Sequence, residues 1–307
     1  MAMEGLVVRT TGSWYRVLAQ AGTTVDCRLR GNYRLRGNKQ TNPVAVGDRV
    51  VFDMQDDGTG VIGEVADRRN YIVRRATKLS KQTHVIAANI DLLCVVATLG
   101  LPRTSTGFID RLLVTAEAYH IPACVVFNKS DLLSDPELYA AQAAMATIYR
   151  HAGYPVLEVS ALTGMGLDTL KAAIAGKTVL FSGHSGVGKS ALLNAIEPGL
   201  GLKVGQISDW SLKGKHTTTF AEIFPFADGY LIDTPGIKEF GMVDFTPQEL
   251  SHFFPEMRAV LHGCHFANCT HRHEPQCAVK KAVDDGLISK ERYSNYLSII
   301  ESIEAGS

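Results

Sequence analysis

No apolar run in this chain is long enough to cross a bilayer. Stretches such as LLCVVA at 92–97 are far shorter than the roughly twenty residues a spanning helix needs. The start, MAMEGLVVRT, lacks the basic flank and apolar core of a secretory leader. A soluble, cytoplasmic protein with no membrane partner is the expectation. Internal repeats and low-complexity segments are also missing, which leaves ordinary globular domains, and 307 residues suffice for two or three. Net charge is absent too, with 31 Lys+Arg against 31 Asp+Glu. The balance is uneven, however. Residues 1–90 carry 14 basic against 8 acidic side chains, or +6, and the remainder 17 against 23, or −6. A basic N-terminal third points to a polyanion partner for that third alone.

Cysteine is sparse, at six residues. Cys27, Cys94 and Cys124 are scattered through strand-like segments and read as small buried hydrophobes. Cys264, Cys269 and Cys277 are clustered, which in a cytosolic chain points to metal rather than disulfides.

What is present falls into three regions. Residues 1–70 alternate short apolar runs with Thr-Gly-Ser, Ala-Gly-Thr, Val-Gly-Asp and Asp-Asp-Gly-Thr-Gly turns. That habit predicts a small antiparallel β-barrel, either an OB-fold or an SH3-like barrel. Residues 71–88 are basic and weakly patterned and read as a connection. From 89 to 242, buried-strand runs (DLLCVVATLG, ACVVF, PVLEVSA, KTVLFS, LIDTPG) alternate with helical spacing. This predicts a doubly wound α/β domain with a mainly parallel sheet. Residues 243–307 hold a helical stretch at 247–260, the Cys/His cluster and an amphipathic stretch at 278–304, a mainly helical module.

The α/β region carries four motifs in register. GHSGVGKS at 183–190 follows a strand and precedes a helix, the context a phosphate loop requires. Gly183, Gly186 and Gly188 let successive N–H groups turn inward, with His184, Ser185, Val187 and Ala191 beside them. Lys189 is placed to neutralise the β- and γ-phosphates, and the Ser190 hydroxyl to ligate Mg²⁺. LIDTPG brings Asp233 to a strand end as a second Mg²⁺ group, with the Gly236 amide near the γ-phosphate. NKSD supplies Asn128, Lys129, Ser130 and Asp131, and VSA adds Ser160 and Ala161. The Asp131 carboxylate can accept from N1–H and N2–H₂ of guanine, a donor pair adenine lacks, so the set selects GTP over ATP. KHTTT offers Thr217 or Thr218 to complete Mg²⁺ coordination, and spacing does not choose between them. Together these motifs predict a GTP hydrolase.

Their order is rotated. The guanine tetrad precedes the phosphate loop, as if the usual chain had been cut after the second switch and its old ends joined. A sheet tolerates such a cut in a surface loop. The cut places the nucleotide switches next to the flanking modules.

With an N-terminal barrel, NKSD, GHSGVGKS, KHTTT, DTPG and CHFANCTHRHEPQC, the chain resembles over nearly its whole length the bacterial small-subunit-dependent GTPase family RsgA/YjeQ. The resemblance implies an OB-fold, a circularly permuted GTPase domain and a C-terminal zinc domain. It also implies GTP hydrolysis stimulated by the 30S subunit, with its 16S rRNA as partner, during late maturation; a monomer is the expectation. Cys264, Cys269, His271 and Cys277 form Cys-x₄-Cys-x-His-x₅-Cys, three thiolates and an imidazole suited to one tetrahedral, structural Zn²⁺. His262, His265 and His273 compete for the nitrogen position, and the family pattern favours His271.

For the RNA surface the candidates are Trp14, Tyr15, Arg28, Arg30, Tyr33, Arg34 and Arg36. Their strongest segment is RLRGNYRLRGNK at 28–39. An alternative function is a GTP-regulated RNA-binding protein acting on another ribosomal particle or on transfer RNA. Finally, the position after DTPG that often holds a water-orienting glutamine is Ile237. His216, just before the switch threonines, is the candidate catalytic group beside Lys189 and Asp233.

Overall fold

The structure, a computed structural model, describes residues 2–31, 43–75, 83–100, 102–202, 221–233 and 245–305. In chain order, five strands come first: β1 (Ala2–Thr11), β2 (Trp14–Ala19), β3 (Thr24–Leu29), β4 (Arg49–Met54) and β5 (Gly60–Val65). A hairpin follows, β6 (Tyr71–Arg75) with β7 (Thr83–Ala88). The alternating region runs β8 (Leu92–Ala97), α1 (Thr106–Ala118), β9 (Ala123–Phe127), α2 (Pro136–His151), β10 (Val156–Glu158), α3 (Leu167–Ile174), β11 (Thr178–Ser182), α4 (Lys189–Ile196), β12 (Glu222–Phe226) and β13 (Gly229–Asp233). Three helices end the chain: α5 (Pro255–Arg258), α6 (Ala278–Asp284) and α7 (Lys290–Ala305).

These elements fall into two compact units. The first comprises Met1–Leu93, Ala172–Ser182 and Gly205–Val243; the second comprises Cys94–Lys171, Gly183–Val204 and Asp244–Ser307.

In the first unit the five N-terminal strands close on themselves. β1 pairs antiparallel with β2, β2 with β3 and β4 with β5, while β3 pairs parallel with β5 and β1 meets β4 to complete the ring. This five-stranded closure is the OB-type arrangement and decides between the two barrels that turn spacing allows. Alternation fills it: Val7, Tyr15, Val17, Cys27, Val50, Phe52 and Ile62 all point inward and are buried. The stretch expected as a plain connection over 71–88 contains the β6–β7 hairpin. β11 pairs parallel with β13, β13 antiparallel with β12, and β12 with the barrel strand β1 at Glu222–Arg9.

In the second unit, which β8 enters at Cys94, β10, β9 and β8 are successive neighbours, with β9 and β10 parallel. Every residue of β8 is buried, the mark of a strand covered on both faces. The Cys94 and Cys124 sulfurs lie 3.4 Å apart inside this core, as apolar fillers. Local chemistry sets the helix ends. The Ser105 hydroxyl caps α1 at Phe108 N–H, and the Asp135 carboxylate caps α2 at Glu137 N–H.

The C-terminal region departs from two expected spans. The helical stretch expected at 247–260 is a 3₁₀ turn, Leu250–Phe253, followed by α5; Pro255 has no N–H for a continuous ladder. The amphipathic stretch at 278–304 is two helices. Gly286, at φ 75°, ends α6 in the left-handed region, and the Ser289 hydroxyl then accepts from Glu291 N–H as α7 begins. Among the described residues, no helix is long and apolar enough to cross a membrane.

Candidate nucleotide site and metal cluster

Asn128 joins three of the motifs. Its backbone N–H donates to Ala97 O as β9 leaves the sheet. Its buried side chain donates from Nδ2 to Val187 O at 2.9 Å, in the glycine loop, and accepts from Ala161 N–H through Oδ1 at 3.1 Å. One amide, with one donor and one acceptor used, thus locks the tetrad to both the phosphate-loop motif and the Ser-Ala motif. Lys129, at φ 62°, reaches the same loop and donates from Nζ to Gly186 O at 2.8 Å. Ser130 is held by its N–H on Val159 O. The Ser160 hydroxyl donates to Asp131 Oδ1 and accepts from Thr163 N–H, which leaves the second carboxylate oxygen of Asp131 for other donors.

The loop glycines are required by space and by dihedral. A Cβ at Gly183 would lie 2.3 Å from Val96 O. Gly188 has φ 88°, and a Cβ there would lie 2.6 Å from Asn128 Nδ2, in the place of the linking amide. Lys189 folds back over the loop and donates from Nζ to Gly183 O at 2.6 Å and His184 O at 3.0 Å. The His184 ring stacks on Phe108 of α1, centroids 3.6 Å apart. Burial, then the nearby Lys189 charge, lowers the His184 pKa, and the Lys129 and Lys189 ammonium groups both bring positive charge to the loop. Ser185 is exposed, while Ser190 and Ala191 lie in the first turn of α4. In the other unit, Asp233 ends β13 level with Phe181, two residues before the loop begins. His216, Thr217, Thr218 and Gly236 lie outside the described residues.

On the barrel, Trp14 faces outward opposite Arg28, whose guanidinium carbon lies 4.0 Å from the ring centroid. Arg30 is exposed and 3.6 Å from Asp53. Tyr15, grouped with them as a surface candidate, faces the barrel core and is 3% exposed. Period-2 alternation with the inward Val17 carries that signal. Tyr33, Arg34 and Arg36 lie outside the described residues.

Cys264, Cys269, His271 and Cys277 converge, their ligand atoms all within 4.8 Å of one another. His271 presents Nδ1, 3.6 Å from Cys264 Sγ and 3.3 Å from Cys277 Sγ. Burial pushes the Cys269 thiol up to about 12, with the neighbouring sulfurs adding to the rise. Thiols crowded in this way become good ligands once a cation offsets their charge, and the donor set fits a four-coordinate metal such as zinc. His262, His265 and His273 are not part of the cluster.

Spacing did not reveal the scaffold around it. Glu274 accepts from the Thr270 hydroxyl and from the N–H groups of Thr270, Arg272 and His273. Burial alone would raise its pKa, but these bonds hold it at about 2. From α7, the Tyr293 and Tyr296 hydroxyls donate to His271 O at 2.6 Å and Thr270 O at 2.8 Å. Their three-residue spacing on one helix face was the available sign.

A glycine loop opening a helix, knotted by an asparagine to a guanine-type tetrad, defines a P-loop GTPase. The rotated order of the motifs, tetrad before phosphate loop, narrows the class further, and comparison with known proteins agrees. The RsgA GTPase model matches residues 65–243 and the RsgA N-terminal domain model residues 4–62. The chain belongs to the RsgA GTPase family.

It is 51% identical over 305 residues to the small ribosomal subunit biogenesis GTPase RsgA of Bacteroides fragilis, covering 99% of this chain and 98% of that one. Identity to the same-named protein of Porphyromonas gingivalis is 47% over 309 residues, with 99% and 98% covered. Among solved structures, YjeQ from Thermotoga maritima superposes with a TM-score of 0.80 at 36% identity over 98% of both chains. YloQ, described as a circularly permuted GTPase, gives 0.78 at 31% identity over 100% of this chain and 96% of that one.

Proposed function

We propose that this GTPase acts as a late maturation checkpoint on the 30S ribosomal subunit in the cytoplasm, with GTP hydrolysis stimulated by the subunit and coupled to release. The observation that carries the reading is the Asn128 side chain, which holds the tetrad, the Ser-Ala motif and the phosphate loop as one site. In this reading guanine is selected by the Asp131 carboxylate, flanked by Asn128, Lys129, Ser130, Ser160 and Ala161. The phosphates lie against Gly183 to Ala191, with the Gly236 amide at the γ-phosphate. They take over the Lys189 ammonium from the loop carbonyls. Ser190, Asp233 and one of Thr217 and Thr218 would hold Mg²⁺, which when bound would offset charge on the phosphate oxygens. His216 orients the attacking water.

The Cys264, Cys269, His271 and Cys277 set holds one zinc ion with no open position, a structural role. The basic balance of residues 1–90, with Trp14, Arg28, Arg30, Tyr33, Arg34 and Arg36 as candidates, supports 16S rRNA as the surface met by the barrel. The names of the relatives point to the small subunit. Cosedimentation with purified 30S, 50S and 70S particles, in GTP analogue or GDP, tests the partner. Nucleotide-dependent pelleting with 30S is expected, and equal pelleting with 50S would overturn it.

A further inference from the structure

Helix α1 touches the nucleotide loop at one end and the C-terminal module along its length. Toward the loop, Phe108 is half-buried and stacks on His184 with rings 3.6 Å apart and 24° from parallel. Just before the helix, Pro102 flanks the same loop; a Cβ on Gly186 would come within 3.3 Å of it. The short segment between β8 and α1 is closed by Thr98 and Thr104, each donating its N–H to the other, at 3.1 and 2.9 Å.

Toward the C-terminus, Arg292 of α7 is buried. It bonds Asp110 at 2.6 Å and Glu256 at 2.7 and 2.9 Å. Asn295 donates to the second Asp110 oxygen at 2.7 Å, and the Thr106 hydroxyl to Glu291 at 2.8 Å. Only Ile109 separates Phe108 from Asp110, so the stack sits on a turn fixed by buried charge. A glycine-rich loop has many backbone conformations open to it, and an external contact that selects one lowers the entropy lost on binding phosphate.

We propose that Phe108 is a positioning residue for the phosphate loop: by stacking on His184 from a helix clamped to α7, it holds the loop in its phosphate-binding shape. This rests on the loop being the nucleotide site. In this role Phe108 acts on the nucleotide through His184. The competing role is a packing group for α1, and the two roles separate by substitution. Leucine keeps the apolar volume and loses the aromatic face. Phe108→Leu is therefore expected to melt with the parent protein while its affinity for a fluorescent GDP analogue falls about three- to tenfold, the scale of one aromatic pair.

In a His184→Ala background the same substitution is expected to cost nothing further. Should Phe108→Leu fail to fold, Phe108→Met serves in its place. Unchanged affinity in the single variant overturns the proposal. So does an equal additional loss in the His184→Ala background. Failure of the parent protein itself to saturate with the analogue would instead overturn the nucleotide-site reading beneath it.

Discussion

In the proposed guanine site, Asp131 would offer the base a carboxylate whose Oδ1 already accepts from the Ser160 hydroxyl. An amide in its place presents a donor where the acceptor stood. Asp131→Asn is therefore expected to shift preference from GTP toward xanthosine triphosphate, which carries an oxygen where guanine carries its amino group. Competition binding with the two nucleotides checks this, and unchanged preference would remove the guanine assignment. The position after DTPG is Ile237, whose side chain has no hydrogen-bonding group where many GTPases carry a glutamine. His216→Ala is expected to keep GTP affinity and 30S binding while losing ~10²-fold or more of the stimulated rate, the scale of a positioned base. Single-turnover hydrolysis at saturating 30S measures it. A rate near that of the parent would place the catalytic group on the ribosome.

Among the elements, α7 has two jobs that can be separated. Arg292 binds it to α1 and α5 through Asp110 and Glu256 and packs over Phe254, 4.8 Å from the ring centroid. Removing one partner of a buried ionic group strands the others, at a cost of about 3–5 kcal/mol. Arg292→Ala is expected to lower the melting temperature sharply, and a melt within a degree or two of the parent would deny the network that weight. Tyr293 and Tyr296 of the same helix hold the backbone of the metal loop. Cys269→Ser removes a candidate zinc ligand but leaves Arg292 in place. It is expected to lower zinc content and loosen residues 264–277 while α7 stays docked and nucleotide binding persists. Metal analysis with limited proteolysis reads both effects, and a full zinc equivalent on the purified variant would sink the ligand assignment.

For the whole molecule, charge segregation matters more than net charge. The chain is neutral, yet residues 1–90 carry +6 and the remainder −6. A basic surface on rRNA releases counterions, so 30S association is expected to weaken steeply between low and moderate salt. A flat salt response in sedimentation would count against a basic RNA-facing barrel. The barrel strand β1 also pairs with β12, which precedes β13 and Asp233, so the first unit joins the barrel to the strand pair that carries a candidate Mg²⁺ ligand.

Sequence by itself determined what short stretches of backbone can determine. GHSGVGKS, DTPG and NKSD each act within a few residues, where glycine dihedrals and strand-to-loop transitions are local, and their order revealed the permutation. The clustering of Cys264, Cys269 and Cys277 pointed to a metal for the same reason, while the choice of His271 over His262, His265 and His273 came from the family resemblance. Tertiary structure decided what depends on distant pairs. Turn spacing left two barrels open, and only the parallel β3–β5 pairing with β1–β4 closure chose between them. Asn128 could be read as a base contact but not as the link to Val187, 59 residues on. Arg292 lies in the stretch read as amphipathic, and no spacing names its partner Asp110, 182 residues away, which the fold brings to it in the core. Such partners are set by packing rather than by spacing, because a buried charge or amide takes whichever complementary group the fold brings within reach.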